Sequence, residues 1–327
     1  MKETSAIYEC IRSTLGKNSF FSVSHLCEIS GVSRSGYYAW LKTEPARNTR
    51  EQQDRKDFEL IAAAFGQRGY SKGAKGIYMC LLHFKPPVVM NLKKIRRLMK
   101  KYGLVCRIRS PNAYRQMIKK IQEGKYAPNL LKREFRKYGP RKVLLTDITY
   151  LPYNKGIFAY LCTILDAFTK QILSYTLSQN MKEDFVLETV EKLVRTHGIS
   201  LTEETLIHSD QGIHFTSVKF IDIVGKAHLR KSMSRRGNCW DNAPQESFFG
   251  HMKDHIGKRM KESTEYEEVQ KLVNDYIDYY NKERYQWNLA KLSPDEYYKF
   301  CTTRIYPLKW INLDTAKQIA ETLAVCD

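Results

Sequence analysis

Three apolar runs follow one another between residues 143 and 178, and they constrain the fold more tightly than any other feature of the chain. They read VLLTDITYL (143–151), FAYLCTILDAF (158–168) and QILSYTLS (171–178). All three are rich in β-branched and aromatic residues, bounded by Gly or Asn, and short enough for strands rather than helices. In succession they predict a three-stranded meander. Beyond them, Val186, Val190, Leu193, Val194 and His197 recur on one face of a helix, and LIHSD (206–210) reads as a short strand. A helix is expected from about Ser217 to Val224, closed by Gly225, then a strand HLRKSMS and a long helical stretch from Asn242. Three strands, helix, strand, helix, strand, helix is a mixed α/β layer architecture.

The chain ahead of this core has a different composition. The net charge of +19 is confined to residues 1–140, where 29 Lys and Arg stand against 10 Asp and Glu; residues 141–327 hold 25 of each. Within 61–140 the balance is 20 basic to 2 acidic. A solvated surface mixes both signs, so this bias points to a polyanion, and nucleic acid is the natural one because every neutralised phosphate releases condensed counterions. An anionic membrane is the rival, but no amphipathic anchor or lipidation motif supports it.

Residues 20–42 (FFSVSHLCEISGVSRSGYYAWLK) have the pattern of a helix-turn-helix: Ser24 as a cap, Gly31 for the φ > 0 turn position, and Ser33 capping a second helix with Tyr37, Tyr38, Trp40 and Leu41. An ordinary helical hairpin fits the same residues. Thr43 to Arg50, with Pro45, reads as a linker. A second helical unit follows, with Phe58, Ile61, Ala62 and Phe65 at helical spacing, glycine breaks at 66, 69, 73 and 76, and a helix from near Ala74 ended by Pro86 and Pro87. Asn91 caps a further helix, NLKKIRRLMKKYG, which buries Leu92, Ile95, Leu98 and Met99 and presents Lys93, Lys94, Arg96, Arg97, Lys100 and Lys101 on the other face. A charge run is commonly just a solvated face; six cations with no acid nearby favour phosphate contact. The expected organisation is therefore an N-terminal helix-turn-helix (1–45), a second basic helical DNA-binding domain (50–110), a basic linker (111–140), an α/β core (141–260) and a C-terminal helical region (261–327).

No stretch has the roughly 18 consecutive apolar residues of a membrane span, and the first 20 residues lack a signal peptide's apolar run. The eight cysteines include no CxxC pair. Reduced thiols in a cytoplasmic protein, with no zinc finger or disulfide framework, are the expectation.

Three acids stand out. Asp147 lies inside an apolar strand, where a carboxylate is costly without a partner or a metal. Asp210 follows the LIH strand and precedes Gly212, at a strand's C-terminal end, where α/β sheets gather ligands. Glu246 falls in the first turns of a helix opened by DNAPQES, with Asp241 or Asn242 as cap and Pro244 in the opening turn. Oxygen-only ligands suit Mg²⁺ or Mn²⁺, and a pair of such ions can clamp an in-line phosphoryl displacement. Lys253, two helical turns after Glu246, shares its face. The preceding loop SRRGNCWDNA, with Arg235 and Arg236, suits gripping a DNA strand. Against this, a lone strand Asp is often a structural hydrogen-bonder, and Glu246 could simply favour the helix dipole. Asp166, Asp184 and Asp241 are competing carboxylates. His251 and His255 stand at zinc-compatible spacing without a third ligand and read as surface or DNA-facing residues; His208 and His214 flank Asp210.

At these residues the sequence resembles the second-reading-frame (OrfB) transposases of the insertion-sequence-three family, bacterial enzymes with a retroviral-integrase-like core. The matching stretches are TDITYL around Asp147, LDAFTKQILSY, HSDQGIHFTS around Asp210, SMSRRGNCWDNAPQESFFGHMK around Glu246, and YIDYYNKERYQWNLAKLSPDEY. The 35 residues between Asp210 and Glu246 are the interval of that family's signature. The resemblance implies a ribonuclease-H-like mixed-sheet core behind all-α helix-turn-helix domains, with Asp147, Asp210 and Glu246 as catalytic ligands of two Mg²⁺ (or Mn²⁺) ions. It further implies Lys253 as the basic position after the Glu, and Asn281 and Arg284 as the YNxxR segment, where helix packing is the plain alternative. The implied partner is double-stranded DNA, at terminal inverted repeats and target, bound as a homo-oligomer. The implied reaction is cleavage at the element's end by water, then attack of the freed 3′-hydroxyl on another phosphodiester, often through a circular intermediate. Members commonly act fused to an upstream frame with a further helix-turn-helix and a coiled coil; no sustained heptads precede residue 45 here. A non-catalytic DNA-binding regulator and a ribonuclease-H-type nuclease are the competing functions.

Overall fold

The computed structural model describes residues 2–17, 20–106, 138–210, 212–233 and 243–326. The chain divides into two compact units, Met1–Ala63 with Arg96–Leu104, and Ala64–Ile95 with Val105–Asp327. Within the first, α1 (Lys2–Lys17), α2 (Val23–Ile29) and α3 (Arg34–Lys42) pack through Ile11, Cys27 and Tyr37. Gly31 takes φ +66° between α2 and α3, and the Ser33 hydroxyl accepts from the Gly36 amide at 3.1 Å, as the sequence pattern requires. The cap of α2 is Ser22 rather than the expected Ser24: its hydroxyl is the one that reaches a free first-turn amide, that of His25, at 3.2 Å.

The expected linker at 43–50 is instead the start of a continuous helix, α4 (Glu44–Gly66). Pro45 lies in the first turn, where its missing N–H removes no helical hydrogen bond. Glu44 pairs with Arg12, and Arg47 lies over the Trp40 ring at 4.1 Å. Helices α5 (Ala74–Leu82) and α6 (Leu92–Lys101) follow. Asn91 Oδ1 accepts from the Lys93 amide at 2.8 Å, and Gly103 at φ +67° turns the chain away after α6.

The sheet contains β1 (Val143–Tyr153), β2 (Ile157–Asp166), β3 (Ile172–Ser178), β4 (Leu206–Ser209) and β5 (Arg230–Met233), in the order β3-β2-β1-β4-β5. The first three form the predicted antiparallel meander, while β4 runs parallel to β1 and β5 parallel to β4. Helices α7 (Asp184–His197), α8 (Ile213–Thr216) and α9 (Val218–Lys226) make the crossovers. Gly225 does not close α9 as expected. The helix runs through it, and the turn is made by His228 at φ +55°. Helices α10 (Ala243–Glu262), α11 (Tyr266–Lys282), α12 (Pro294–Thr303) and α13 (Leu313–Cys326) complete the described chain.

Alternation along β1 sorts its side chains between two cores. Val143, Leu145, Leu151 and Tyr153 bury against Phe248, Met252 and Ile256 of α10 and Val273 and Tyr276 of α11. Leu144 turns the other way, to Val186, Val190 and Leu193 of α7 and Phe220 and Val224 of α9. Each such side chain contributes about 1.5–3 kcal/mol on burial, and a one-residue slip of β1 would forfeit both sets at once. The result is the mixed five-stranded sheet of a ribonuclease-H-like core, preceded by helical elements.

Candidate active site

Asp147 has the same parity along β1 as Leu145 and Leu151, so it stands on the face covered by α10. In the parallel pairing of β1 with β4, Leu145 is opposite His208. Asp147 lies two residues further along β1, and Asp210 two residues beyond His208, just past the end of β4, where neighbouring strands are about 4.8 Å apart. On its other side Asp147 faces Thr163 of β2. Thr163 is where the start of α10 is tied down. The fully buried Gln245 amide donates to the Thr163 carbonyl at 3.0 Å and also bonds its hydroxyl. Glu246 is the next residue. The sheet thus brings in two acids through strand register and the third through one side-chain tether.

The electrostatics reflect this convergence. Burial pushes the Asp147 carboxyl up to about 7; the charges of Asp210 and Glu246 push the same way, against the Ile148 amide and the Lys253 ammonium. The Ile148 N–H donates to Asp147 Oδ1 at 2.8 Å. Asp210 is exposed and accepts from the Gly212 amide at 2.9 Å. A Cβ at position 212 would stand 2.9 Å from that same carboxylate oxygen, so the glycine keeps the approach clear. Lys253 is exposed on α10 and near enough to act on Asp147. Among the described residues, no three His, Cys, Asp or Glu side chains stand close enough to hold a metal ion as they are placed. Asp210 and Glu246 are nonetheless near enough to act on Asp147, and a half-buried carboxylate raised by burial and by two like charges is one that a divalent cation relieves.

The competing candidates have other partners. Asp166 is fully buried and accepts from Arg141 Nη1 at 2.9 Å and from the Phe168 amide at 2.9 Å, so it fastens the end of β2. Asp184 opens α7. His208 is buried against Ser232 at 3.1 Å, and burial lowers its pKa. His255 is not the surface residue expected but is half-buried. It stacks on Tyr70 at 5.2 Å, and burial, with Arg284 adding to it, lowers its pKa to about 4. Asn281 pairs with the β3 backbone, donating to the Ile172 carbonyl and accepting from its amide, both at 2.9 Å, which is a packing role.

The basic face of α6 is only partly open. Arg97 makes two bonds to Asp54, at 2.7 and 2.6 Å, and Lys101 pairs with Asp54 and Glu51. Those acids lie 43 to 50 residues back in the chain, so a count of neighbours in sequence finds none. Lys93, Arg96 and Lys100 are exposed; Lys94 is half-buried. Arg235 and Arg236, the capping candidates Asp241 and Asn242, and most of the basic linker lie outside the described residues. Sequence reasoning missed Gln245 and Thr163. A buried glutamine beside a catalytic candidate has no signal of its own until its strand partner is known.

Known proteins carry the same parts. Residues 137–239 match one family described as Integrase core domain, residues 227–294 a second family of that description, and residues 51–112 the HTH-like domain. An uncharacterized transposase-like protein of Haemophilus influenzae is 33% identical over 215 residues, covering 64% of this chain and 94% of that protein. Transposase InsF for insertion sequence IS3A of Escherichia coli is 27% identical over 288 residues, covering 85% and 94%. Among solved structures, the HTLV-2 integrase catalytic core domain in complex with magnesium aligns over 50% of this chain and 99% of that one, at 16% identity and a TM-score of 0.38. With a helix-turn-helix-like region followed by an integrase core along one chain, this protein belongs to the insertion-sequence-three family of transposases.

Proposed function

We propose that the protein is a metal-dependent DNA transposase, a polynucleotidyl transferase that cleaves at insertion-sequence ends and joins the freed 3′-hydroxyl to another phosphodiester. The observation that carries this reading is that Asp210 and Glu246 both lie near enough to Asp147 to act on its charge, beside the face of β1 covered by α10. The donor set is all oxygen, which fits Mg²⁺ or Mn²⁺ rather than zinc. Two such ions held by these carboxylates supply neutralisation of the phosphate and an activated attacking oxygen. Asp147, Asp210 and Glu246 are the residues that would hold the ions. Lys253 would hold a DNA phosphate by charge alone. The exposed Lys93, Arg96 and Lys100, and Arg235 and Arg236 in the loop before α10, are proposed to contact the DNA backbone, which positions the duplex without reading sequence.

The test is Asp147→Asn. A neutral amide of nearly the same shape removes a ligand while leaving the apolar packing of β1 intact. We expect loss of nicking and joining on terminal-repeat DNA by at least a thousandfold, with affinity for that DNA within about twofold of wild type. A variant that still cleaves DNA sinks the site assignment. Activity on RNA–DNA hybrids but not on terminal repeats sinks the transposase reading and leaves a ribonuclease-H-type nuclease.

A further inference from the structure

A cleft of about 510 Å³ opens beside α10, and the catalytic reading makes no use of it. Pro244, Ser247, His251 and His255 line one wall, at helical spacing along α10. Glu246 lies between the first two, so the cleft begins within one turn of it and runs on for about 16 Å. The opposite wall holds Lys72, Tyr279, Arg284, Tyr285 and Trp287.

The charges in this cleft do not balance. Lys72 is 8% exposed, and its ammonium donates to the carbonyls of Gln67 and Tyr70 at 2.8 and 3.1 Å, with no carboxylate partner among the described residues. Arg284 is half-buried, with its guanidinium 5.5 Å from the Tyr280 ring centroid and no ion pair among the described residues. The carboxylate lining the cleft, Glu283, is already held by Arg68 at 2.5 Å. His255 adds a buried Nδ1 with no hydrogen-bond partner. A cation withdrawn from water is stable when paired; of the carboxylates, buried Lys72 feels only the charge of Glu283, which Arg68 already holds, so with half-buried Arg284 and an orphaned ring nitrogen beside it the cleft keeps an excess of positive charge, which describes a receptor for an anion. The aromatic wall adds what a simple anion does not need. Rings interleaved with cations are the composition of a surface that binds single-stranded nucleic acid, stacking on the base while the cations hold the phosphate. The volume suits one nucleotide.

We propose that this cleft holds one unpaired nucleotide of the DNA strand beside the catalytic carboxylates, its phosphate between Lys72 and Arg284 and its base against the aromatic wall. The proposal rests on the transposase reading for the identity of the strand, but its test needs no catalysis. Affinity for a short single-stranded oligonucleotide, for the same sequence as a blunt duplex and for inorganic phosphate is measured with chelator present, across a range of salt. Arg284→Ala should weaken single-strand binding about tenfold and reduce its salt slope by about 0.7, the contribution of one phosphate on a single strand. Arg284→Lys should restore the slope, because the charge returns. Blunt-duplex affinity should stay within twofold. Wild-type protein irradiated with a bromodeoxyuridine-substituted single strand should crosslink at Tyr285 or Trp287, a measurement that does not depend on any variant folding. Unchanged single-strand affinity in Arg284→Ala, an equal loss on blunt duplex, competition by millimolar inorganic phosphate alone, or crosslinks mapping elsewhere would each overturn the proposal. Asp147→Asn should bind the single strand as wild type does, so failure of the cleft and failure of the catalytic site are read separately.

Discussion

At the scale of single residues, Asp147 carries the sharpest consequence. An aspartate in an unfolded chain titrates near 3.9, whereas burial and the two neighbouring acids push this one up to about 7. At about 1.4 kcal/mol per unit, ionising it in the folded protein costs up to roughly 4 kcal/mol. Below pH 4 the group is protonated folded and unfolded, and the cost is absent. It accumulates as pH rises and is complete once pH has passed the folded value, near 7. Asp147→Asn never ionises. In metal-free buffer it should therefore be more stable than wild type by about 1–4 kcal/mol at pH 8 and equal to it at pH 4, measured by urea unfolding. Equal stability at both pH values would show that neither burial nor the neighbouring acids raise this carboxyl. The sequence pointed to Asp147 because a charge inside VLLTDITYL breaks an apolar run. It could not point to Gln245, since an uncharged polar residue in a helix's first turn breaks no pattern.

At the scale of elements, period and punctuation located most of the structure, and the departures have local causes. The meander followed from three bounded apolar runs, and the turn at Gly31 from a residue that alone tolerates φ +66° cheaply. The expected linker at 43–50 misread Pro45, which breaks a helix interior but suits its first turn. Helix α1 drew no expectation, although Ile7, Tyr8, Ile11 and Leu15 recur at helical spacing and pack on the core of α2 and α3. Helix α6 shows the limit of local reading most clearly, because its cations divide by function. Arg97 holds the Asp54 carboxyl well below the usual carboxylate range through paired hydrogen bonds, with Lys101 adding to it. Arg97→Ala should lower stability by about 2 kcal/mol, the worth of a hydrogen bond to a charged group, moderated because Lys101 remains and Arg97 is itself half-exposed. The loss should fade in acid, since the stability that comes with a depressed carboxyl is present above the unfolded pKa and lost as pH falls through the folded one. Lys93, Arg96 and Lys100 changed together to Ala should leave the melting temperature unchanged and lower the salt slope of duplex binding by up to about 2.7, at 0.9 per phosphate. A triple variant with a wild-type slope would remove α6 from the DNA interface.

At the scale of the whole molecule, charge separates binding from chemistry. The excess of +19 lies ahead of residue 141, and the remainder of the chain is balanced. On the proposed function, most of the long-range attraction to DNA is therefore expected of the helical front part, while the sheet offers a cluster of acids that by itself repels phosphate. The two activities should respond to different ions. Raising monovalent salt from 50 to 200 mM should weaken terminal-repeat binding by a thousandfold or more, as for a protein contacting six or more phosphates. It should spare the cleavage rate of DNA already bound, because closely held charges in a partly buried site are screened little. Removing divalent metal with chelator should do the reverse. Cleavage should vanish, whereas affinity should fall only by the small repulsion of the uncovered acids, within about threefold, and the salt slope should be unchanged. Single-turnover cleavage at saturating protein, followed beside equilibrium binding over the same salt series, separates the two. A cleavage rate that tracked affinity through that series would mean that the catalytic acids share their phosphate contacts with the basic front part, and the division of labour read from the charge distribution would be wrong.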